Sequence, residues 1–125
     1  MDSEIRNAIQ VHAAWKERLG EAIQTGRSEF TVEAVCQDDQ CRLGRWLYTL
    51  SEPTKASHRW RCVRQVHADF HRHAADVLDL ALLGNKAAAK AATSYSSGFA
   101  QTSARLSAEL KAWQQEVVAS GVLVS

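Results

Sequence analysis

Apolar positions recur three and four residues apart along most of this chain, and the stripe breaks only where glycine, proline or a polar run intervenes. Ile5, Ala8, Ile9, Trp15, Leu19 and Ile23 predict an amphipathic helix over residues 2–24, stopped by Gly26. A long connection, 27–40, follows, with Phe30, Val32 and Val35 as its apolar anchors. Asp38 and Asp39 are candidate N-caps for a short helix over 41–49. Ser51-Glu52-Pro53-Thr54 starts a third helix that runs to Leu83, where Gly84-Asn85 stops it. Its stripe is Trp60, Val63, His67, Phe70, His71, Ala74, Leu78, Ala81 and Leu82. A fourth helix is predicted over 86–119, with Tyr95, Phe99, Leu106, Leu110, Trp113 and Val117 on its apolar face.

These elements predict an all-α fold, a four-helix bundle of three long helices plus one short helix that carries Cys41. One proline and six glycines leave little punctuation for the turns of a sandwich or barrel. At 125 residues the chain reads as one domain, 1–125, able to bury a core without disulfides or metals. The Ala- and Ser-rich stretch 87–97 permits close helix approach, in the core or at a dimer seam.

A formal net charge of +1 gives no field that would recruit nucleic acid or an anionic membrane. Arg59, Arg61 and Arg64, with only Trp60 among them, read as a solvated helix face. No apolar run reaches the roughly 18 residues of a membrane span. Met1 is followed at once by polar residues, so the expectation is a cytoplasmic protein. Three cysteines, an odd number, point to reduced thiols, one of them free to act as a ligand or redox centre.

The histidines give the stripes a chemical meaning. His67 and His71 stand one helical turn apart on one face, a spacing that lets one metal ion engage both. At about 100° per residue, His12 sits at the centre of the first helix's stripe, close to Ile5, Leu19 and Ile23. Three imidazoles thus aim at one apolar interior, where their ring nitrogens need partners that the stripe side chains do not offer. Cys41, returned to the bundle by the long connection and placed at a helix N-terminus that favours thiolate, can complete a tetrahedral zinc site.

The other candidates face elsewhere. His58 and Cys62 lie half a rotation from His67 and read as surface residues; His73 reads as rim; Cys36 is near enough in sequence to act as a resolving thiol for Cys41. Catalysis is not expected. Ala68 and Asp69 stand where a helical metalloprotease has its Glu-x, no inward Glu-x-x-His repeat marks a di-iron centre, and there is no nucleophile elbow. A second reading is a structural or interaction bundle with a purely structural zinc site.

His12, then Cys41-Arg42-Leu43-Gly44-Arg45-Trp46, then His67-x-x-x-His71 together resemble the signature of the chemoreceptor zinc-binding domain, the CZB family of bacterial cytoplasmic sensors. The resemblance spans nearly the whole chain. It implies a four-helix bundle, usually a homodimer, that binds Zn2+ through His12, Cys41, His67 and His71, with Gly44 and Trp46 as packing residues. Such domains are attached to chemotaxis receptors and diguanylate cyclases, and in some the zinc-bound cysteine reacts with oxidants such as hypochlorous acid. This sequence carries no receptor coiled coil, cyclase or membrane region, so it reads as a stand-alone member or an isolated module.

Overall fold

Periodicity and capping residues divide the chain into helices and little else. The computed structural model describes residues 2–119. Their elements are α1 (Asp2–Ala13), α2 (Trp15–Thr25), α3 (Val32–Cys36), a 3-10 turn (Asp38–Gln40), α4 (Arg42–Thr49), α5 (Glu52–Lys55), α6 (His58–Leu82), α7 (Lys86–Ala92) and α8 (Gly98–Ala119). No strand occurs among the described residues.

The all-helical expectation holds, but each predicted long helix is segmented, for local reasons. Between α1 and α2 the break is slight, because Ala14 keeps right-handed helical angles and still bonds to Gln10 O and from Arg18 N, both at 3.2 Å. Between α5 and α6 it is a true restart. Ser57 turns extended, donates to Thr54 O at 2.6 Å and accepts from Trp60 N at 3.2 Å, the behaviour of an N-cap hydroxyl. Between α7 and α8, Ser97 Oγ caps α8 by accepting from Ala100 N at 3.1 Å. Tyr95 therefore lies in a turn and is 97% exposed, not on the apolar stripe as its spacing suggested. Leu82 is also corrected: as the last residue of α6 it runs out of neighbours and is 39% exposed.

The predicted stops are in place. Gly26 and Gly84 adopt positive φ, 71° and 78°, and their amides bond back to Ala22 O and Ala81 O. The long connection is not featureless. Thr31 Oγ1 accepts from Ala34 N at 3.1 Å, nucleating α3, whose Val35 is buried. Phe30 is half-exposed, with its ring 5.2 Å from that of Trp15.

α6 is the central element, packed against α8, α2 and α3, while α1 packs against α8 and α4. Phe70 is fully buried on α6, with its ring 5.5 Å from Phe99 of α8. Burial of such a side chain contributes about 2–3 kcal/mol. Leu47 of α4 is equally buried, and its carbonyl accepts from Trp60 Nε1 at 3.0 Å. α4, which begins beside Cys41, is thus pinned to the central helix at its far end.

Candidate metal centre

α1 buries Ile5, Ala8 and His12, the spacing of a single helix face. α6 buries Val63, Val66, His67, Phe70, His71 and Ala74, with α3 packed against it and His12 of α1 reaching the rings of His67 and Phe70. His12, His67 and His71 are 5%, 0% and 2% exposed, in an interior otherwise made of aliphatic and aromatic side chains.

Cys41 enters from the other side as the residue preceding α4. It is extended, and its Sγ accepts from Gly44 N at 3.4 Å. The cap of α4 is therefore Cys41 itself, because the helix starts at Arg42; Asp38, expected as a cap, instead accepts from Tyr48 OH at 2.7 Å. Gly44 has a steric reason to be glycine. A Cβ there would overlap the carbonyl oxygen of Asp38, so only a bare Cα lets the 3-10 turn press onto the first turn of α4.

The four side chains converge. Nε2 of His67 lies 3.1 Å from Nε2 of His12, 3.0 Å from Nε2 of His71 and 3.1 Å from Sγ of Cys41, and Sγ is 3.9 Å from Nε2 of His12. One nitrogen from each histidine and the sulfur all lie within 4.8 Å of one another. Tetrahedral zinc, with Zn–N near 2.0–2.1 Å and Zn–S near 2.3 Å, needs its ligand atoms about 3.3–3.6 Å apart. The donor set fits.

Hydrogen bonding on the outer edges of the rings fixes which nitrogen points inward. Nδ1 of His12 donates to Ala8 O at 2.7 Å, and Nδ1 of His71 donates to Val35 O at 2.9 Å. Their Nε2 atoms therefore carry lone pairs directed at His67. Sequence reasoning missed both acceptors. Ala8 O is the carbonyl one helical turn before His12, whereas Val35 O comes from α3, inside what read as a loop. Nδ1 of His67 is buried and has no partner among the described residues.

Burial sets the protonation. Loss of solvent pushes the His12 imidazole down to about 4 and that of His67 to about 2, and lowers His71 as well, so all three are neutral donors at pH 7. Burial also raises the Cys41 thiol, and the amides of Gly44 and Leu43 oppose it only in part. The helix terminus alone does not deliver the thiolate that its position suggested. A cation among the three nitrogens would.

The remaining candidates lie apart. His58 is exposed and Cys62 half-buried, His73 packs its ring over Gly98 at the start of α8, and Cys36 is exposed at the end of α3.

Comparison with known families decides the classification. The family model described as the chemoreceptor zinc-binding domain, CZB, matches residues 12–78, slightly more than half the chain. The chain belongs to the CZB family. The matched span encloses His12, Cys41, His67 and His71 and runs from the last turn of α1 through most of α6. No curated protein and no solved structure matches the chain. Within the described residues, no helix is long and apolar enough to cross a membrane.

Proposed function

We propose that this CZB domain is a cytoplasmic zinc-binding regulatory domain in which His12, His67 and His71 anchor the ion and Cys41 is the responsive ligand. The observation that carries the reading is the convergence of three inward Nε2 atoms and one sulfur, with Nδ1 of His12 and of His71 tied to backbone carbonyls. Bound zinc supplies the positive charge that holds Cys41 as a thiolate.

The chain's own residues set up the response. His67 and His71 share one rigid helix and His12 ends another, so the imidazoles keep their places. Cys41 sits at the junction of the 3-10 turn and α4, where its sulfur faces the backbone amides of Gly44 and Leu43. Hypochlorous acid would take an electron pair from this sulfur, giving sulfenic acid and releasing chloride. The oxidised sulfur is a weaker ligand, and its change is passed to α4. Cys41 is itself only partly buried, so small reagents have access to its sulfur.

In this reading α1–α2, α4, α6 and α8 act as the members of a four-helix bundle. A second copy of the chain pairs with it as a homodimer, and the output passes to a chemotaxis receptor or a diguanylate cyclase. The ligand set has no member left to act on a substrate, so the domain is a sensor and not an enzyme.

Zinc analysis before and after hypochlorous acid treatment tests the proposal. About one zinc per chain is expected in protein purified without added metal. Oxidant should release it from the native protein, and Cys41→Ser should retain less zinc and lose the oxidant response. Protein that folds normally yet carries no zinc as purified would end the reading, and a response unchanged in Cys41→Ser would leave zinc binding but remove the switch. Sedimentation analysis measures the dimer directly.

A further inference from the structure

A second histidine and cysteine meet on the opposite face of α6. His58 and Cys62 are four residues apart on this helix, and Sγ of Cys62 lies 3.4 Å from Nε2 of His58. Both line an open groove of about 510 Å³ between α6 and α8, together with Arg61, Asp69, Arg105 and Glu109. Nothing in the zinc centre uses any of these residues.

The charge in the groove is not balanced. Asp69 is already held by Gln65 and Arg72, and Glu109 by Arg59. Arg61 and Arg105 have no ion-pair partner among the described residues. Two guanidinium groups are thus free to meet carboxylates beside a thiol whose proton has an imidazole acceptor at hand. Cys36, the most exposed cysteine, has no imidazole at hydrogen-bond distance, and Cys41 belongs to the metal centre.

We propose that Cys62, assisted by His58, is a thiol–disulfide exchange site for carboxylate-bearing low-molecular-weight disulfides. His58 accepts the thiol proton, and the Cys62 sulfur attacks one sulfur of the incoming disulfide. A new S–S bond forms to Cys62 as the old one breaks. The other half leaves as a thiolate and takes the proton from His58, so Cys62 is oxidised to a mixed disulfide and the leaving half is reduced to a thiol. Arg61 and Arg105 hold the reagent's carboxylates. The site is independent of the zinc reading and stands or falls separately from it.

The test uses the full chain as purified, oxidised glutathione as the probe, and peptide mass mapping to follow each cysteine. Cys62 should form the mixed disulfide at least about tenfold faster than Cys36. His58→Gln should slow Cys62 by a similar factor while leaving zinc content and helical circular dichroism unchanged. Arg61→Gln combined with Arg105→Gln should slow the reaction with oxidised glutathione but not with hydroxyethyl disulfide, which has no carboxylate. Equal rates at Cys36 and Cys62, or an unchanged rate in His58→Gln, overturn the site. Equal slowing toward both disulfides overturns the carboxylate selectivity.

Discussion

Nε2 of His12 lies 3.1 Å from Nε2 of His67, although 55 positions of chain separate them. His12 has already committed its Nδ1 proton to Ala8 O and His71 its own to Val35 O, so their inner nitrogens bring lone pairs, not protons. Without a cation, a proton on Nε2 of His67 could serve one of them, and the Cys41 thiol, 3.9 Å from Nε2 of His12, the other. His67 would then be left with an unprotonated Nδ1 that is buried and has no partner among the described residues, and one such unsatisfied acceptor costs about 1–3 kcal/mol.

Metal removal should therefore loosen the fold. A strong chelator is expected to lower the melting temperature by on the order of 10–20 °C, the effect of losing a ligand present near a thousand times its Kd. His67→Ala should show the same low melting point with or without zinc. A melting curve indifferent to chelation would mean that the four residues do not share an ion.

Acidification should act on the metal-free protein in a defined window. The unfolded chain protonates its histidines near the ordinary value of 6.5, whereas burial holds folded His12 to about 4 and folded His67 to about 2. Stability is fully present above about pH 6.5 and is lost as pH falls toward the folded values, by up to about 1.4 kcal/mol per pH unit for each such histidine. At pH 7–8 the imidazoles are already neutral, so only the Cys41 thiol, raised by burial, must give up a proton to bind zinc. Zinc affinity should then rise about tenfold per pH unit, with about one proton released per site. Calorimetry in two buffers of different ionisation enthalpy counts the protons, and a count of three would contradict the neutral histidines.

Much of the site was legible because helical periodicity is a local property. The stripes of Ile5, Ala8 and His12 and of Val63, His67, Phe70 and His71 need only a rotation of about 100° per residue to be aligned. Where the chain leaves that regularity, spacing misleads. Tyr95 fits the stripe of α8 by number but lies in the turn before it, because Ser97 caps that helix. Ser57 likewise starts α6 afresh, although Pro53 is the stronger start signal in the sequence. The carbonyl of Val35 reaches His71 from a separate element, which no periodicity announces, and the resemblance marks Gly44 as a packing residue without saying that the Asp38 carbonyl is what it packs against. The direction of the Cys41 shift was missed for a similar reason: helix position is visible in sequence, whereas the burial that outweighs it is not.

Gly44 and Gly20 make opposite tests of that packing. Gly44→Ala would push a methyl group into the Asp38 carbonyl and force the 3-10 turn away from α4, moving the Cys41 sulfur with it. A loss of about 2–3 kcal/mol in stability is expected, with faster zinc transfer to a chelator. Gly20→Ala meets nothing within 4 Å in the middle of α2, so it should be neutral or stabilise by up to about 1 kcal/mol. Chemical denaturation of the two variants side by side reads the difference. Equal effects would show that the close approach at Gly44 has no energetic weight.

Trp46 offers the route by which α4 reports on Cys41. Its ring centroid is 5.5 Å from that of Trp113 on α8, and α4 is held to α1 by two hydrogen bonds from Arg42 to Glu4, at 2.8 and 3.1 Å. A displacement of Cys41 turns the first turn of α4 while Leu47, fixed by Trp60, holds the other end, so the indole between them must tilt against Trp113. Zinc removal should change tryptophan emission through this pair. Trp15 is a competing reporter, since its ring is 6.4 Å from His71. The two sources separate by substitution: the zinc-dependent change should persist in Trp15→Phe and disappear in Trp46→Phe. The reverse result would place the moving element at the imidazoles and leave α4 a passive carrier of the sulfur.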